Sequence, residues 1–431
     1  MNYEPLMRKQ LPGYVYHSLR SIGSTGDGIG CPVFVVGGFV RDLLIGRPNL
    51  DVDIVAEGDG IAFAQVFAEA RNAEVKRHQR FGTAVVTLPD GFRVDMATAR
   101  TELYDHPGAL PSVKSSSIKE DLRRRDFTIN AMAIELNEDR FGELVDFFGG
   151  RSDLHSRMIR VLHDLSFVDD PTRIFRATRF EQRYGFYIES HTEKLLKKAV
   201  AEDYLKRITT QRLRNEILLI LKEDDPFPVI RRMAHFDLMK YIHPRICMSD
   251  KLAILFDRAR EVLVWWDSTS PPIYVKAEPI LVNLIVLLDQ LDAAEAADVS
   301  ERLVLRKKYT EALKTSKMHL PGILQRMGEA ENPPSRIYET LKGLPLEVLL
   351  FAMAKVDGTQ CSTSLKRSIS SYLTHLRKAK PLMKGSDLRK LGYPEGPLYA
   401  EILDRTFAAQ LDGLIVDKDQ AMQFVRNQFP L

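Results

Sequence analysis

Apolar residues cluster in CPVFVV (31–36), stop at Gly37-Gly38, and recur at helical spacing through FVRDLLIG (39–46), which ends on Gly46. That order predicts a strand, a glycine turn and a helix. In LDVDIVA (50–56), acids alternate with branched apolar residues at the period of a strand. GTAVVTLP (82–89) and FRVDMATA (92–99) read as two further strands across the turn-forming Pro89-Asp90-Gly91. AMAIELNEDRFGELVDFFGG (131–150) adds more strand and turn signals. Beyond residue 150 the period changes. DPTRIFRATRFEQRYGF (170–186) and the long run 191–223 read as amphipathic helices. Helical segments then continue to the end, broken by DDPFP, STSPP, ENPPS and GYPEGP. The pattern predicts an α/β head followed by an all-α remainder, with no fixed-period repeat and no low-complexity tract.

Composition narrows this only a little. A chain of 431 residues, 45% hydrophobic and 28% charged, has material for two to four ordinary domains. The net charge is +3, from 61 Lys+Arg against 58 Asp+Glu, so RNA binding would need a local basic face. Cys31, Cys247 and Cys361 lie far apart with no CxxC pair, which suits a reduced cytoplasmic setting and argues against a disulfide framework or thiolate zinc site. The N-terminal stretch lacks the basic-then-apolar pattern of a secretory signal, and no run has the apolar length to span a bilayer. The expectation is a soluble intracellular protein with no membrane association and no obligate protein partner.

Two features carry chemistry. Asp51 and Asp53 flank Val52 in a predicted strand, where residues two apart point to one side, so their carboxylates converge. Crowded carboxylates repel unless a cation lies between them, and Mg²⁺ takes one or two protein carboxylates together with phosphate oxygens. Asp95, in the strand-like Arg93–Met96 stretch, is the candidate third ligand. Gly37-Gly38, between strand and helix, lets the backbone approach a phosphate at a helix N-terminus, with Arg41 one turn in. A lone Asp-x-Asp is most often a pair of solvated acids, and a bare Gly-Gly a tight turn. Together, a phosphate cradle and paired metal carboxylates are what nucleotidyl transfer requires. His163-Asp164 lacks partner histidines at a telling spacing and reads as incidental.

GGFVRDLLIGRPNLDVDIV (37–55) resembles motif A of the class II tRNA nucleotidyltransferases and bacterial poly(A) polymerases, members of the polymerase β-like superfamily. RRRDFTINAMA (123–133), VDFFGGRSDLHSRMIRVL (145–162) and DDPTRIFRATRFEQRYGF (169–186) resemble their motifs B, C and D, so the match is dense over 33–220. The resemblance implies a mixed-sheet nucleotidyltransferase head (1–150), a helical neck that selects the nucleotide (151–225), a helical body (226–355) and a helical tail that binds tRNA (356–431). It assigns metal binding to Asp51 and Asp53, with two Mg²⁺ ions, and triphosphate contacts to Gly37, Gly38 and Arg41. Arg124, Asp126 and Asn130 become ribose-side contacts. Asp170 and Arg173 become a protein template for the base, since a carboxylate accepts from an exocyclic amine while a guanidinium donates to ring acceptors. Asp169 stands where the family has Glu, which puts that residue's supporting role in doubt. Arg176 and Arg179 are candidates for nucleotide or RNA backbone, and Arg212, Arg214 and Glu216 for a neck-stabilising ion-pair set.

KGSDLRKLGYPEGPLYAEILDRTFAAQLDG (384–413) is similar to the tail of the tRNA-directed members, which implies contact with the tRNA elbow. Basic clusters recur in the helical half, from Lys197-Lys198 to the Arg377–Lys380 stretch, and one sequence does not show whether they share a side. The segment between motifs A and B is not shortened, which disfavours CC-only addition. The implied activity is template-independent addition to the tRNA 3′ end from ATP and CTP, making either complete CCA or the terminal A. Poly(A) polymerization and a catalytically silent RNA-binding scaffold are the alternatives.

Overall fold

Val33–Val36 form β1, buried along its whole length. A strand without a solvent face needs partners on both edges and cover on both sides. In the computed structural model, β1 sits inside a seven-stranded mixed sheet with β2 (Val52–Ala56), β3 (Glu74–His78), β4 (Thr83–Thr87), β5 (Arg93–Thr98), β8 (Ala133–Glu135) and β9 (Leu144–Val145). The order is β3-β4-β5-β2-β1-β8-β9, and only β2 and β5 run parallel. Exposure alternates along β5, so one face packs inward and the other carries Arg93 and Asp95 outward. Charged EVKRH forms the edge strand β3, where charge discourages pairing with another chain. A separate hairpin, β6 (Arg100–Leu103) with β7 (Ser112–Ser115), and a parallel pair, β10 (Met158–Ile159) with β11 (Tyr187–Ile188), complete the strands.

The structure describes residues 1–79, 82–103, 112–269, 276–328, 332–356 and 362–430. Cys361, the centre of the segment between motifs A and B, and parts of the STSPP and ENPPS breaks lie outside them. The chain divides into two compact units. The first holds Met1–Glu216 with His235–Asp237, the second Ile217–Ala234 with Leu238–Leu431.

In the first unit the sheet is joined by α1 (Glu4–Gln10), α2 (Gly13–Ile29), α3 (Gly38–Leu44), α4 (Gly60–Arg71) and α5 (Ile118–Arg123). Phe34, Val36 and Val55 from the strands pack with Ile118 and Leu122 of α5. The helices α6 (Gly150–His155), α7 (Ser166–Asp169), α8 (Arg173–Tyr184), α9 (Ser190–Ala201) and α10 (Thr210–Leu221) follow, the last crossing into the second unit. The run 191–223 carries two helices because Asp203, at φ 55°, leaves the helical region between them. One correction concerns Asp51. It precedes β2 instead of lying in it, and its amide donates to Asn49 Oδ1 at 2.9 Å.

Among its described residues the second unit has helices joined by turns and no strand. Leu346–Val356 is buried on nearly every side, and its Glu347 carboxylate receives Lys308 Nζ at 2.8 Å. A smaller core gathers Leu388, Tyr393, Ile402 and Val425 near the C-terminus, with the helix at Leu398–Leu411 that the GYPEGP punctuation predicts. Among the described residues, no helix is long and apolar enough to cross a membrane.

Candidate active site

The parallel register of β2 and β5 sets Asp53 directly beside Asp95. Neighbours in register share a face of the sheet, so the two carboxylates project to the same side, and Asp51 precedes them by one turn of the pleat. Burial pushes the Asp53 carboxyl up to about 6. The Arg125 guanidinium opposes that rise, while the like charges of Asp51, Asp95 and Asp121 add to it. Asp95 is raised too, first by burial and then by Asp51. Among the described residues no three His, Cys, Asp or Glu side chains form a closed metal cage. The donor set is Asp53 and Asp95, both disfavoured as bare anions by burial and by the charge of Asp51 beside them. That suits a hard cation which keeps water and substrate oxygens in its shell, as Mg²⁺ does.

Gly37 turns the chain from β1 into α3 at φ 70° and ψ −128°. The positive φ needs the backbone freedom of glycine, and a Cβ there would lie 2.5 Å from Arg125 Nη1 and displace that guanidinium. Arg41 follows one turn later and is buried. Its Nε and Nη2 each donate to a different oxygen of Asp42 at 2.9 Å, its Nη1 donates to Asn130 Oδ1, and its Cζ lies 4.6 Å from the Tyr184 ring centroid. Asp42 also accepts from Asn49 Nδ2 at 2.8 Å and Tyr184 Oη at 3.2 Å. Arg41 is thus fixed before any ligand arrives.

The RRRD run separates its members sharply. Arg124 is held by Asp121 at 2.7 Å and Glu102 at 2.8 Å, and Arg125 by Asp121 at 3.1 Å. Asp126 is buried, with Oδ1 accepting from the Phe127 amide and Asn130 Nδ2 at 2.8 Å each and Oδ2 accepting from Arg176. Its oxygens are therefore engaged by protein, and it acts on the cavity through Asn130 and Arg176.

Asp170 Oδ1 accepts from the Thr172 amide, the Thr172 hydroxyl and Arg212 Nη2, at 3.0, 2.6 and 2.6 Å. Arg173, at the start of α8, donates from Nη1 to Ser166 Oγ and from Nη2 to the Arg124 carbonyl, both at 2.6 Å. Arg212 therefore braces the candidate base-selecting pair directly. Arg179 turns elsewhere, 3.7 Å from Glu216. Asp169 meets His163 at 3.9 Å, while Asp164 meets His191 at 2.9 Å.

A single cavity of about 790 Å³ within the first unit brings these groups together. Gly37, Gly38, Arg41, Asp51, Asp53 and Asp95 line it, and so do Arg124, Asp126, Asn130, Asp170, Arg173 and Arg176. Of the candidate metal, triphosphate, ribose-side, base-selecting and backbone-contact residues, Arg179 is not on its wall, and neither are Asp169, Arg212, Arg214 and Glu216. Arg125, Asp42 and Glu102 line it as well and were missed. The only sequence signal for Arg125 was its place in the arginine triplet.

Residues 33–160 match the family described as Poly A polymerase head domain, and residues 185–248 that described as probable RNA and SrmB-binding site of polymerase A. An A-adding tRNA nucleotidyltransferase of Halalkalibacterium halodurans is 30% identical over 99% of this chain and 96% of its own. The chain belongs to the tRNA nucleotidyltransferase family. An A-adding member from Geobacter sulfurreducens is 43% identical over 97% of this chain, which spans about half (47%) of that relative's length. The Thermotoga maritima CCA-adding enzyme complexed with tRNA shares 36% identity, with a TM-score of 0.75 over 99% of this chain and 98% of that one. Membership extends across both units, beyond the two matched segments.

Proposed function

We propose that this member of the family adds nucleotides to the 3′ end of tRNA without a template, taking them from ATP and CTP and releasing pyrophosphate. The supporting observation is the one cavity that holds the β2 and β5 acids, the glycine turn and the Asp170/Arg173 pair. Terminal A addition is the favoured product, because the A-adding relative from Geobacter sulfurreducens stands at 43% identity. Complete CCA addition is the second reading, supported by likeness to the Thermotoga maritima CCA-adding enzyme along nearly the whole chain. A cytoplasmic place of action goes with either.

In this reading Asp51 and Asp53 hold Mg²⁺, with Asp95 as a third ligand and two ions in the working site. Bound metal would lower the pKa of the attacking 3′-hydroxyl and offset charge on the departing pyrophosphate. The residues of the chain place the substrate. Amides at Gly37-Gly38 and the prefixed Arg41 receive the triphosphate, and Arg125 adds a cation beside the acids. Asn130 and Arg176, both held by Asp126, face the sugar side. Asp170 accepts from the exocyclic amine of the base and Arg173 donates to its ring acceptors, a pairing open to either A or C. The RNA 3′ oxygen then bonds to the α-phosphorus as the bond to pyrophosphate breaks.

Three tRNA substrates, ending before CCA, after C and after CC, each with ATP or CTP alone, test this. A single A added only to the substrate ending in CC establishes the favoured product, and C additions to the shorter substrates together with an A on the substrate ending in CC establish the second. Long adenosine tracts on unstructured RNA, or no incorporation with Mg²⁺ present, would overturn both.

A further inference from the structure

A second cavity in the first unit, of about 510 Å³, is lined by charge of one sign. Arg47, Arg151, His155 and Arg157 stand on its wall, all exposed, and no Asp or Glu is among its lining residues. Among the described residues the guanidinium groups of Arg151 and Arg157 make no ion pair and no hydrogen bond, which leaves both able to bind an anion from outside.

The backbone at Arg157 sharpens the point. It follows α6 at φ 55°, a left-handed conformation that suits Gly, Asn and Asp. Apart from Arg157 and Val304, every described non-glycine residue with positive φ is Asn or Asp. The fold holds this turn, the Arg157 amide donating to the Leu154 carbonyl at 3.2 Å and its carbonyl accepting from the Tyr187 amide at 3.0 Å, and the turn leaves the Arg157 side chain on the cavity wall.

The remaining wall is aromatic. Tyr184 and Phe186 line the cavity with ring centroids 5.6 Å apart, and Arg47 Cζ lies 5.0 Å from the Tyr184 centroid. Guanidinium groups bind phosphate through paired N–H donors, and aromatic faces stack on bases. The volume suits a nucleotide better than a bare ion. We propose that this cavity is a second nucleotide site, in which Arg151 and Arg157 hold a phosphate and the Tyr184–Phe186 wall supports the base. It is separate from the candidate active site but touches it through Tyr184, whose hydroxyl donates to the Asp42 that fixes Arg41.

The nucleotide has two possible sources, free in solution or part of an RNA strand, and two measurements on the full chain separate them. The double variant Arg151→Gln/Arg157→Asn removes both cations, with Asn chosen because it tolerates the left-handed backbone. Arg151→Gln alone alters only an exposed side chain and guards against misfolding. Equilibrium dialysis with radiolabelled ATP should find two equivalents bound to the wild type and one to the double variant if the ligand is free nucleotide. If it is RNA, the slope of log binding constant against log salt for tRNA should shrink by roughly 1 to 2 in the double variant. Either change supports the site, and Arg151→Gln should give a smaller change of the same kind. Unchanged ATP stoichiometry together with an unchanged tRNA salt slope, in variants with wild-type circular dichroism, would overturn it. In the dialysis arm the loss of one equivalent is independent of the activity proposed above, whereas the remaining equivalent and the RNA arm rest on it. ATP incorporation by the wild type, measured alongside, tells the two failures apart.

Discussion

Arg176 donates to a single oxygen of Asp126 from two nitrogens, Nε at 2.8 Å and Nη2 at 2.6 Å from Oδ2. Burial alone would push the Asp126 carboxyl up, but the Arg176 charge, the Asn130 amide and Arg173 outweigh it and hold it down to about 2. The folded value thus lies below the unfolded one. The stabilisation it brings is complete above about pH 4 and is lost as pH falls through about 2. Asp126→Asn is expected to cost about 3 kcal/mol at pH 7, low in the range for broken buried pairs because the Arg176 side chain keeps 31% of its exposure. Urea denaturation at pH 7, 4 and 3 checks this. The gap to wild type should narrow below pH 4, and a gap independent of pH would remove Asp126 from the account.

The proximity of Asp53 and Asp95 makes a second expectation. Asp53→Ala removes the carboxylate best placed to hold a cation while leaving the glycine turn and the arginines intact. Incorporation into tRNA should fall by about a thousandfold or more, equivalent to several kcal/mol of lost transition-state stabilisation, with tRNA affinity nearly unchanged. Chelation of divalent ions from the wild type should produce the same loss, reversed by added Mg²⁺. Activity that survives chelation would contradict the metal assignment.

How far the sequence could be read depended on whether a feature is local. The strand-turn-helix at Val33–Leu44 and the β4–β5 hairpin follow period and punctuation that need no partner to recognise. Edge strand β3 escaped because its alternation is charged, as an edge requires, so no apolar period marks it. Asp53 and Asp95 were legible because strand geometry alone aims them, whereas Asp51 lies just ahead of β2. The partners of the arginines were not legible. Arg41 bonds Asp42, its immediate neighbour on a helix, although adjacent residues on a helix do not ordinarily face each other. Asp126 looks like a free contact in sequence, and only the fold brings Arg176 to it across fifty positions. Arg212, read as part of a distant neck set, turns out to brace Asp170.

Gly37 offers a test of the turn itself. At φ 70° and ψ −128°, with Arg125 Nη1 2.5 Å from where a Cβ would lie, alanine meets both backbone strain and a clash. Gly37→Ala is expected to cost about 1–3 kcal/mol of stability. It should also raise KM for ATP by at least about tenfold, since Arg125 must move away from the acids. Steady-state kinetics and thermal melting read the two effects. A variant with normal KM would mean that the turn does not touch the triphosphate.

Arg173 can select a base only if its guanidinium keeps its plane and direction, and two neutral acceptors fix both: Ser166 Oγ and the Arg124 carbonyl, each at 2.6 Å. Neither acceptor is itself charged, so in the proposed function the guanidinium would still have donor capacity for the base. Ser166 is fully buried and, unlike Arg173, does not line the cavity. Ser166→Ala removes one anchor, worth about 1 kcal/mol, and should move the ratio of kcat/KM for ATP over CTP toward unity by about fivefold. Arg173→Ala removes the donor itself and should collapse the ratio by about a hundredfold or more. The comparison separates positioning from packing, because a purely structural serine would lower stability and both kcat/KM values together and leave their ratio where it was.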